Sequence, residues 1–386
     1  MLGGCSARQN AVPAALPQIA ATQHNGYADR YRILYNLQGP PDEALPAAGL
    51  AYVNGMLYGT TTAGGTDNDG TVFRLHPSGG WKDLLYSFKG GTDGANPVAD
   101  LLAVNGELYG TTESGGAHSL GTVFKIDANG KETVLHSFGN GSDGAQPEAS
   151  LTLLNGKLYG TTSAGGTDGY GTVFGISAGG AERVLHSFSG YGFGTDGGHP
   201  VAALIVIKGT LYGTTPAGGK NAAGIFFAMS ASGEETILYT FEGGLPAARE
   251  PGSPLVLLHG TLYGTAGGGT NDYGTVFSIS PSGENETVLY SFGSSSSDGR
   301  EPVAGLTVVR NNLYGTTDTG GKSGYGTLYK ITTTGTETVL HNFSSGPPVH
   351  DGMDPEADLI NVKGTLYGTT YDGGISRVGT VFALTP

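Results

Sequence analysis

Apolar and polar positions alternate along this chain in short bursts, and the bursts recur about every fifty residues. The copy at residues 143–190 shows the pattern. Asp143-Gly144-Ala145-Gln146-Pro147 is a turn, with Pro fixing φ and Gly supplying positive φ. Residues 148–154 (EASLTLL) read as a short, mostly apolar strand. Asn155-Gly156 is a strong two-residue hairpin signal. Residues 157–162 (KLYGTT) form a second strand, 165–171 a glycine-rich loop, 172–176 a third strand and 182–188 (ERVLHSF) a fourth. Four antiparallel strands joined by hairpins predict one twisted sheet per copy.

The unit is written seven times, marked by Tyr58, Tyr109, Tyr159, Tyr212, Tyr263, Tyr314 and Tyr367, each inside Leu-Tyr-Gly-Thr. Such a sheet cannot bury both faces alone; copies packed around an axis bury them and shelter their edges. The expectation is an all-β, seven-bladed β-propeller with four antiparallel strands per blade. The last copy stops after its third strand (379–384), and a fourth-strand pattern, Tyr31-Arg32-Ile33-Leu34-Tyr35-Asn36-Leu37, opens the chain. Tyr58 follows Leu37 by 21 residues, as Tyr109 follows Phe88 and Tyr159 follows Phe138. The N-terminal strand is therefore in phase to complete the last blade and close the ring. Glycine at the centre of each second strand (Gly59, Gly110, Gly160 and their equivalents) weakens the strand on propensity alone. Its recurrence predicts that a neighbouring blade or an aromatic ring packs on bare backbone there, with the flanking tyrosines as the expected source of such a ring.

Composition changes this picture little. Seventy glycines would suggest disorder, but they are phased with the apolar positions and read as turn punctuation. Residues 31–386 show no composition break and are read as a single propeller, behind a flexible Ala/Pro/Gln-rich lead at 1–30. The net charge of −14 opposes a nucleic-acid partner. No stretch approaches the roughly 20 apolar residues of a membrane helix. Cys5 is the only cysteine, so no internal disulfide forms. Its setting, Leu2-Gly3-Gly4-Cys5, is lipobox-like and makes Cys5 a candidate lipid-attachment site, although the apolar part of a signal peptide does not precede it. The competing reading is a cytoplasmic protein with a chance LGGC.

The unit LYGTT-x-x-GG-x4-GTVF, preceded by DG-x-x-P, resembles the GloVer tandem-repeat proteins, bacterial secreted or surface proteins with varied anchors. The resemblance covers about residues 31–386 and implies propeller-like repeats and an extracytoplasmic location, with no activity attached. The final residues, Ala383-Leu384-Thr385-Pro386, carry no sorting tail, so an anchor would fall to Cys5.

Candidate chemistry lies where the repeat breaks. The loop acid (Asp42, Asp93, Asp143, Asp196, Asp298, Asp351, with Ala247 as exception) recurs too often for catalysis and reads as a turn cap. His136, His186 and His341 share a column with Tyr35, Tyr86, Tyr239 and Tyr290, which points to a packed, hydrogen-bonded ring position. Before the loop proline the copies differ: Leu45, Asn96, Gln146, His199, Glu250, Glu301 and Asp354. Arg249-Glu250 and Arg300-Glu301 precede it in neighbouring copies, and His350 and Asp354 follow in the next. Tyr191 and Phe193 lie in an insertion. Together these residues predict a lopsided polar site on one rim, binding a polysaccharide or a surface protein, with no metal and no cofactor. The expected molecule is a monomeric extracytoplasmic scaffold. The alternatives are a polysaccharide lyase, or a glycosidase- or lactonase-like hydrolase, using His199, His350 and nearby acids with Arg300, and a purely structural surface protein. There is no G-x-S-x-G, H-E-x-x-H or P-loop signature, so whether the chain is an enzyme stays open.

Overall fold

The computed structural model describes residues 31–80, 82–139, 141–190, 196–345 and 350–386. All regular structure in them is β. Blade 1 is built from Ala51–Val53, Met56–Thr61, Thr71–Leu75 and Lys82–Ser87, hydrogen-bonded in that order as an antiparallel sheet. Six further sheets repeat it, with first strands at Leu102–Val104, Thr152–Leu154, Ile205–Ile207, Val256–Leu258, Thr307–Val309 and Ile360–Val362. The first strands neighbour one another around the axis, blade 7 against blade 1 included. The molecule is a seven-bladed β-propeller.

Closure follows the predicted phase. Arg32–Asn36 runs antiparallel to Thr380–Leu384 as the fourth strand of blade 7, pairing Arg32 with Ala383 and Asn36 with Thr380 around one bulge. The same bulge recurs between third and fourth strands of the other blades, at Val72/Phe73 and its equivalents. The ring is also stapled by Leu37 N donating to Gly379 O (3.1 Å) and Leu45 N to Val378 O (2.8 Å).

Four residues of the Leu-Tyr-Gly-Thr-Thr segment each have a separate job. The leucine is buried in an interblade core, as Leu57 is with Leu34, Leu75 and Val381. A Cβ on the glycine would lie 2.6 Å from a ring carbon: Phe73 over Gly59, Phe124 over Gly110, Phe174 over Gly160. The ring on bare backbone is thus the cross-strand phenylalanine of GTVF, not the flanking tyrosine expected from the sequence, because residues directly opposite share one face of the sheet. The first threonine reaches the next blade: Thr111 Oγ1 donates to Ala149 O (3.2 Å), Thr265 to Ala304 O (2.9 Å), and Thr369 to Ala48 O (2.9 Å) across the closure. The second pairs with the threonine that opens the third strand, as Thr112 with Thr122 at 2.9 Å.

The first strands are shorter than predicted: Thr152–Leu154 replaces 148–154 in blade 3. The DG-x-x-P loop before them instead adds a two-residue ladder to the segment after the second strand. Gly94–Ala95 pairs Ser114–Gly115, and Gly144–Ala145 pairs Ala164–Gly165. Seven such ladders cap one end of the ring. The Asn-Gly turns sit at the other end with both residues at positive φ (Asn155 51°, Gly156 77°), as a type I′ hairpin demands.

Candidate functional site

The ladder end is the loop-rich face, and its asymmetry is visible in which residues face each other. In blades 1 to 4 the second ladder pair is small: Ala44 with Ala63, Ala95 with Ser114, Ala145 with Ala164, Gly198 with Ala217. In blades 5 to 7 it becomes Arg249 with Gly267, Arg300 with Thr319 and Met353 with Asp372. One half of the rim is therefore filled by larger, polar side chains.

The residue before each loop proline is held left-handed, with φ between 53° and 59° from Leu45 to Asp354. The reason is a repeated backbone clasp. Glu301 N donates to Tyr273 O of the previous blade (2.9 Å), and Glu301 O accepts from Asp318 N (2.9 Å). Glycine would relax this conformation, which costs another residue about 1 kcal/mol or more. Leu45, Asn96, Gln146, His199, Glu250, Glu301 and Asp354 all keep side chains there, projected from the rim of each blade.

The loop acids behave as caps and as seam partners. Asp143 Oδ1 accepts from Gly144 N (2.7 Å), and His136 Nε2 donates to Asp143 Oδ2 (2.8 Å). His341 donates likewise to Asp351 (2.8 Å), and the hydroxyls of Tyr86 and Tyr290 donate to Asp93 (2.8 Å) and Asp298 (2.9 Å). The histidine rings pack edge-on against phenylalanine, His136 on Phe138 at 4.7 Å. Four of the loop acids also face a glutamate at the start of the next blade's fourth strand: Glu132 beside Asp93, Glu182 beside Asp143, Glu235 beside Asp196, Glu337 beside Asp298. Burial, with the neighbouring aspartate, pushes these four glutamates up to about 7. Where Ala247 replaces the aspartate, Tyr239 turns its hydroxyl to Glu286 instead (3.3 Å). The ligand atoms of His136, Asp143 and Glu182, and of His186, Asp196 and Glu235, lie within 4.8 Å of one another. Tyrosine holds the place of the histidine in the Asp93 and Asp298 seams, so hydrogen bonding accounts for both groups.

The predicted rim residues fall at separate blade junctions. His199 accepts no free role: its Nδ1 lies 2.8 Å from Ser163 O and its ring meets Tyr170 at 5.4 Å. Arg249 pairs with Asp272 (2.5 Å) and approaches Glu250 at 3.8 Å. Arg300 lies 4.1 Å over the ring of Tyr273, while Glu301 accepts from Thr319 Oγ1 (3.1 Å). Asp354 stands near Asp318 and Asp372, and burial raises its carboxyl. His199, Arg300 and His350 thus each have a separate set of contacts. His350 lines a cleft of about 500 Å³ between blades 6 and 7, with Tyr325, Asp351, Met353, Asp372 and Arg377. Arg377 has no ion-pair partner among the described residues. Tyr191, Phe193 and Cys5 lie outside the described residues.

At the axis, the column before the first strands reads Gly49, Asp100, Ser150, Ala203, Pro254, Gly305 and Asp358. Asp100 Oδ1 accepts from Gly49 N (2.6 Å) and Asp358 Oδ1 from Gly305 N (2.5 Å). Enclosure by the ring, with Asp358 adding its charge, pushes Asp100 up to about 7.

The family model described as the Gloeobacter/Verrucomicrobia repeat matches residues 22–205, 191–309 and 294–386. The chain belongs to this family. Among solved structures, an oligogalacturonate lyase from Vibrio parahaemolyticus is similar at 10% identity and TM-score 0.59, over 93% of this chain and 95% of that one. An oligogalacturonate lyase in complex with manganese gives 11% identity and TM-score 0.57 over 93% and 95%. A putative 6-phosphogluconolactonase from Bacteroides uniformis gives 16% and 0.50 over 83% and 88%. At such identities the likeness shows the propeller fold alone. No curated protein matches.

Within this family repeat, several rim residues were not singled out from sequence. Tyr170, Tyr273 and Tyr325 stand at one variable position of the GG-x4-G loop and meet His199, Arg300 and the cleft. Their signal was available: an aromatic at the same offset in three copies. Arg377 and Asp372 carried none beyond being departures in the last copy.

Proposed function

We propose that this protein is a binding scaffold that takes a carbohydrate on the loop-rich face of blades 5 to 7, outside the cytoplasm. The cleft between blades 6 and 7 carries the reading. Its volume of about 500 Å³ lies in the usual range for small-ligand sites. Carboxylate and imidazole groups (Asp372, His350) suit sugar hydroxyls, Arg377 is a donor that forms no ion pair among the described residues, and Tyr325 and Met353 supply apolar surface for ring carbons. The enlarged ladder residues Arg249 and Arg300 extend the polar half of the rim beyond it. Support for the extracytoplasmic placement comes from Leu2-Gly3-Gly4-Cys5 and from the surface character of the repeat proteins it resembles.

Titration calorimetry with neutral oligosaccharides and oligogalacturonides tests this. Saturable binding of at least one class is expected, weakened about tenfold or more by Arg377→Ala and by Tyr325→Ala. Absence of binding across the panel, or undiminished affinity in both variants, overturns it. Ultraviolet absorbance from unsaturated products in the same mixtures would replace binding by lyase chemistry.

A further inference from the structure

We infer that the opposite end of blade 3 holds a second site, which takes a small oxyanion between Lys157 and Arg183. The inference is independent of the rim, because these residues flank the Asn155-Gly156 turn and the turn after the third strand.

Three positions form a row on each blade: the residue two before the repeat tyrosine, the third-strand residue opposite that tyrosine, and the fourth-strand residue opposite that one in turn. In blade 1 the row contains an ion pair, Arg74 to Asp83 at 2.8 Å. In blade 2 it contains another, Lys125 to Glu107 at 2.8 Å. Blades 4 and 5 are neutral, with Thr210, Ala228 and Thr236, then Thr261, Ser278 and Thr287. Blades 6 and 7 each hold one cation, Lys330 and Arg32.

Blade 3 departs from all of these. Lys157 stands where blade 2 has Glu107, Arg183 where blade 1 has Asp83, and the central position is Gly175. Two cations thus stand where the neighbours place the acids that pair with their central cation, and they flank a central position that carries no side chain. Neither has a hydrogen-bond or ion-pair partner among the described residues. The missing side chain at Gly175 leaves a cleft of about 170 Å³, lined also by Tyr159, Ser177, Leu185 and, from blade 4, Ala231. Gly175 has ordinary strand backbone, so no positive φ demands a glycine there.

The chemistry of the lining defines the ligand class. A guanidinium matches a carboxylate or phosphate through paired N–H donors, and an ammonium adds a point charge. Ser177 offers a hydroxyl, while Tyr159 and Leu185 offer apolar surface to a small carbon skeleton. The net charge of −14 repels anions at long range, but that field is screened over about 8 Å at physiological salt, so the local pair governs contact. Inorganic phosphate and the carboxylate of a uronic acid share this chemistry.

Amide NMR titrations of the full chain with inorganic phosphate, glucuronate and glucose decide the matter. Saturable shifts confined to blade 3 are expected with phosphate, glucuronate or both, and not with glucose. Lys157→Thr and Arg183→Thr, which install the residues of blades 4 and 5, should each weaken binding about tenfold with an unchanged unfolding midpoint. Gly175→Met, which fills the cleft without adding charge, should abolish it. Failure of both anions to saturate, equal response to glucose, or full affinity in both threonine variants overturns the inference.

Discussion

At the scale of single residues, the repeat is a set of fitted contacts, and its exceptions show what each contact is worth. Blade 6 carries Tyr329 where the other blades place phenylalanine over the strand glycine. The Tyr329 hydroxyl is fully buried, has no hydrogen-bond partner, and lies 2.6 Å from where a Cβ of Gly315 would be. An orphaned buried hydroxyl costs about 1–3 kcal/mol. Tyr329→Phe restores the residue used by the other copies and should stabilise the protein by about 1 kcal/mol, read as a higher midpoint in urea unfolding. A lower midpoint would mean that the hydroxyl has a favourable role. Blade 4 has a similar exception: Thr214 Oγ1 is buried without a partner, while Ser253 of the next blade bonds within its own blade to Thr265.

At the scale of elements, the fourth strand of one blade, the loop acid and the fourth strand of the next form a polar seam. In each of Glu132, Glu182, Glu235, Glu286 and Glu337, one carboxyl oxygen (Oε1) is buried without a partner. Four of these groups titrate near 7, above their ordinary value of 4.5, because burial penalises the charged form. The folded state therefore holds protons that the unfolded chain releases between about pH 4.5 and 7. By linkage, stability falls as pH rises through that window and levels once both states are ionised. Asp196, lowered by His186 and by Ser189 despite its burial, works in the opposite direction. The unfolding temperature should thus decline from pH 5 to pH 8, and a triple Glu132→Gln, Glu182→Gln, Glu337→Gln variant should show a shallower decline. An unchanged slope in that variant would assign the effect to overall charge repulsion.

At the scale of the whole molecule, the closing seam between blades 7 and 1 has its own electrostatics. Glu43 replaces the loop glycine and Lys82 replaces the seam glutamate, and the two form a buried ion pair, with Asp42 3.8 Å from the same ammonium. The Glu43 side chain is only 1% exposed. Removing one partner of a buried pair costs about 3–5 kcal/mol, because the other charge stays behind. Lys82→Glu should therefore destabilise the ring by at least that order. Adding Glu43→Gly rebuilds the arrangement of blade 2 and should recover most of the loss in a double-mutant cycle of denaturant unfolding. Additive losses would show that the two positions do not communicate. The seam between blades 6 and 7 is closed differently: Tyr31 donates its hydroxyl to Asp351 at 2.6 Å and stacks on His341 at 3.6 Å.

By itself the sequence determined the blade count, the strand order within a blade and the N-terminal closure. These depend on the period and phase of apolar positions, and a one-residue slip would turn every apolar side chain to the wrong face. It also determined that the loop acids cap turns, since an Asp-Gly pair acts on backbone groups within reach of its own loop. Tertiary structure alone decided which ring covers the strand glycines, since that contact lies across a hairpin rather than along the chain. It alone set His199 against Tyr170 and Arg300 against Tyr273, and opened the cleft beside His350. Side chains fifty residues apart meet or miss according to blade twist and rim packing, and neither is encoded in any local run of residues.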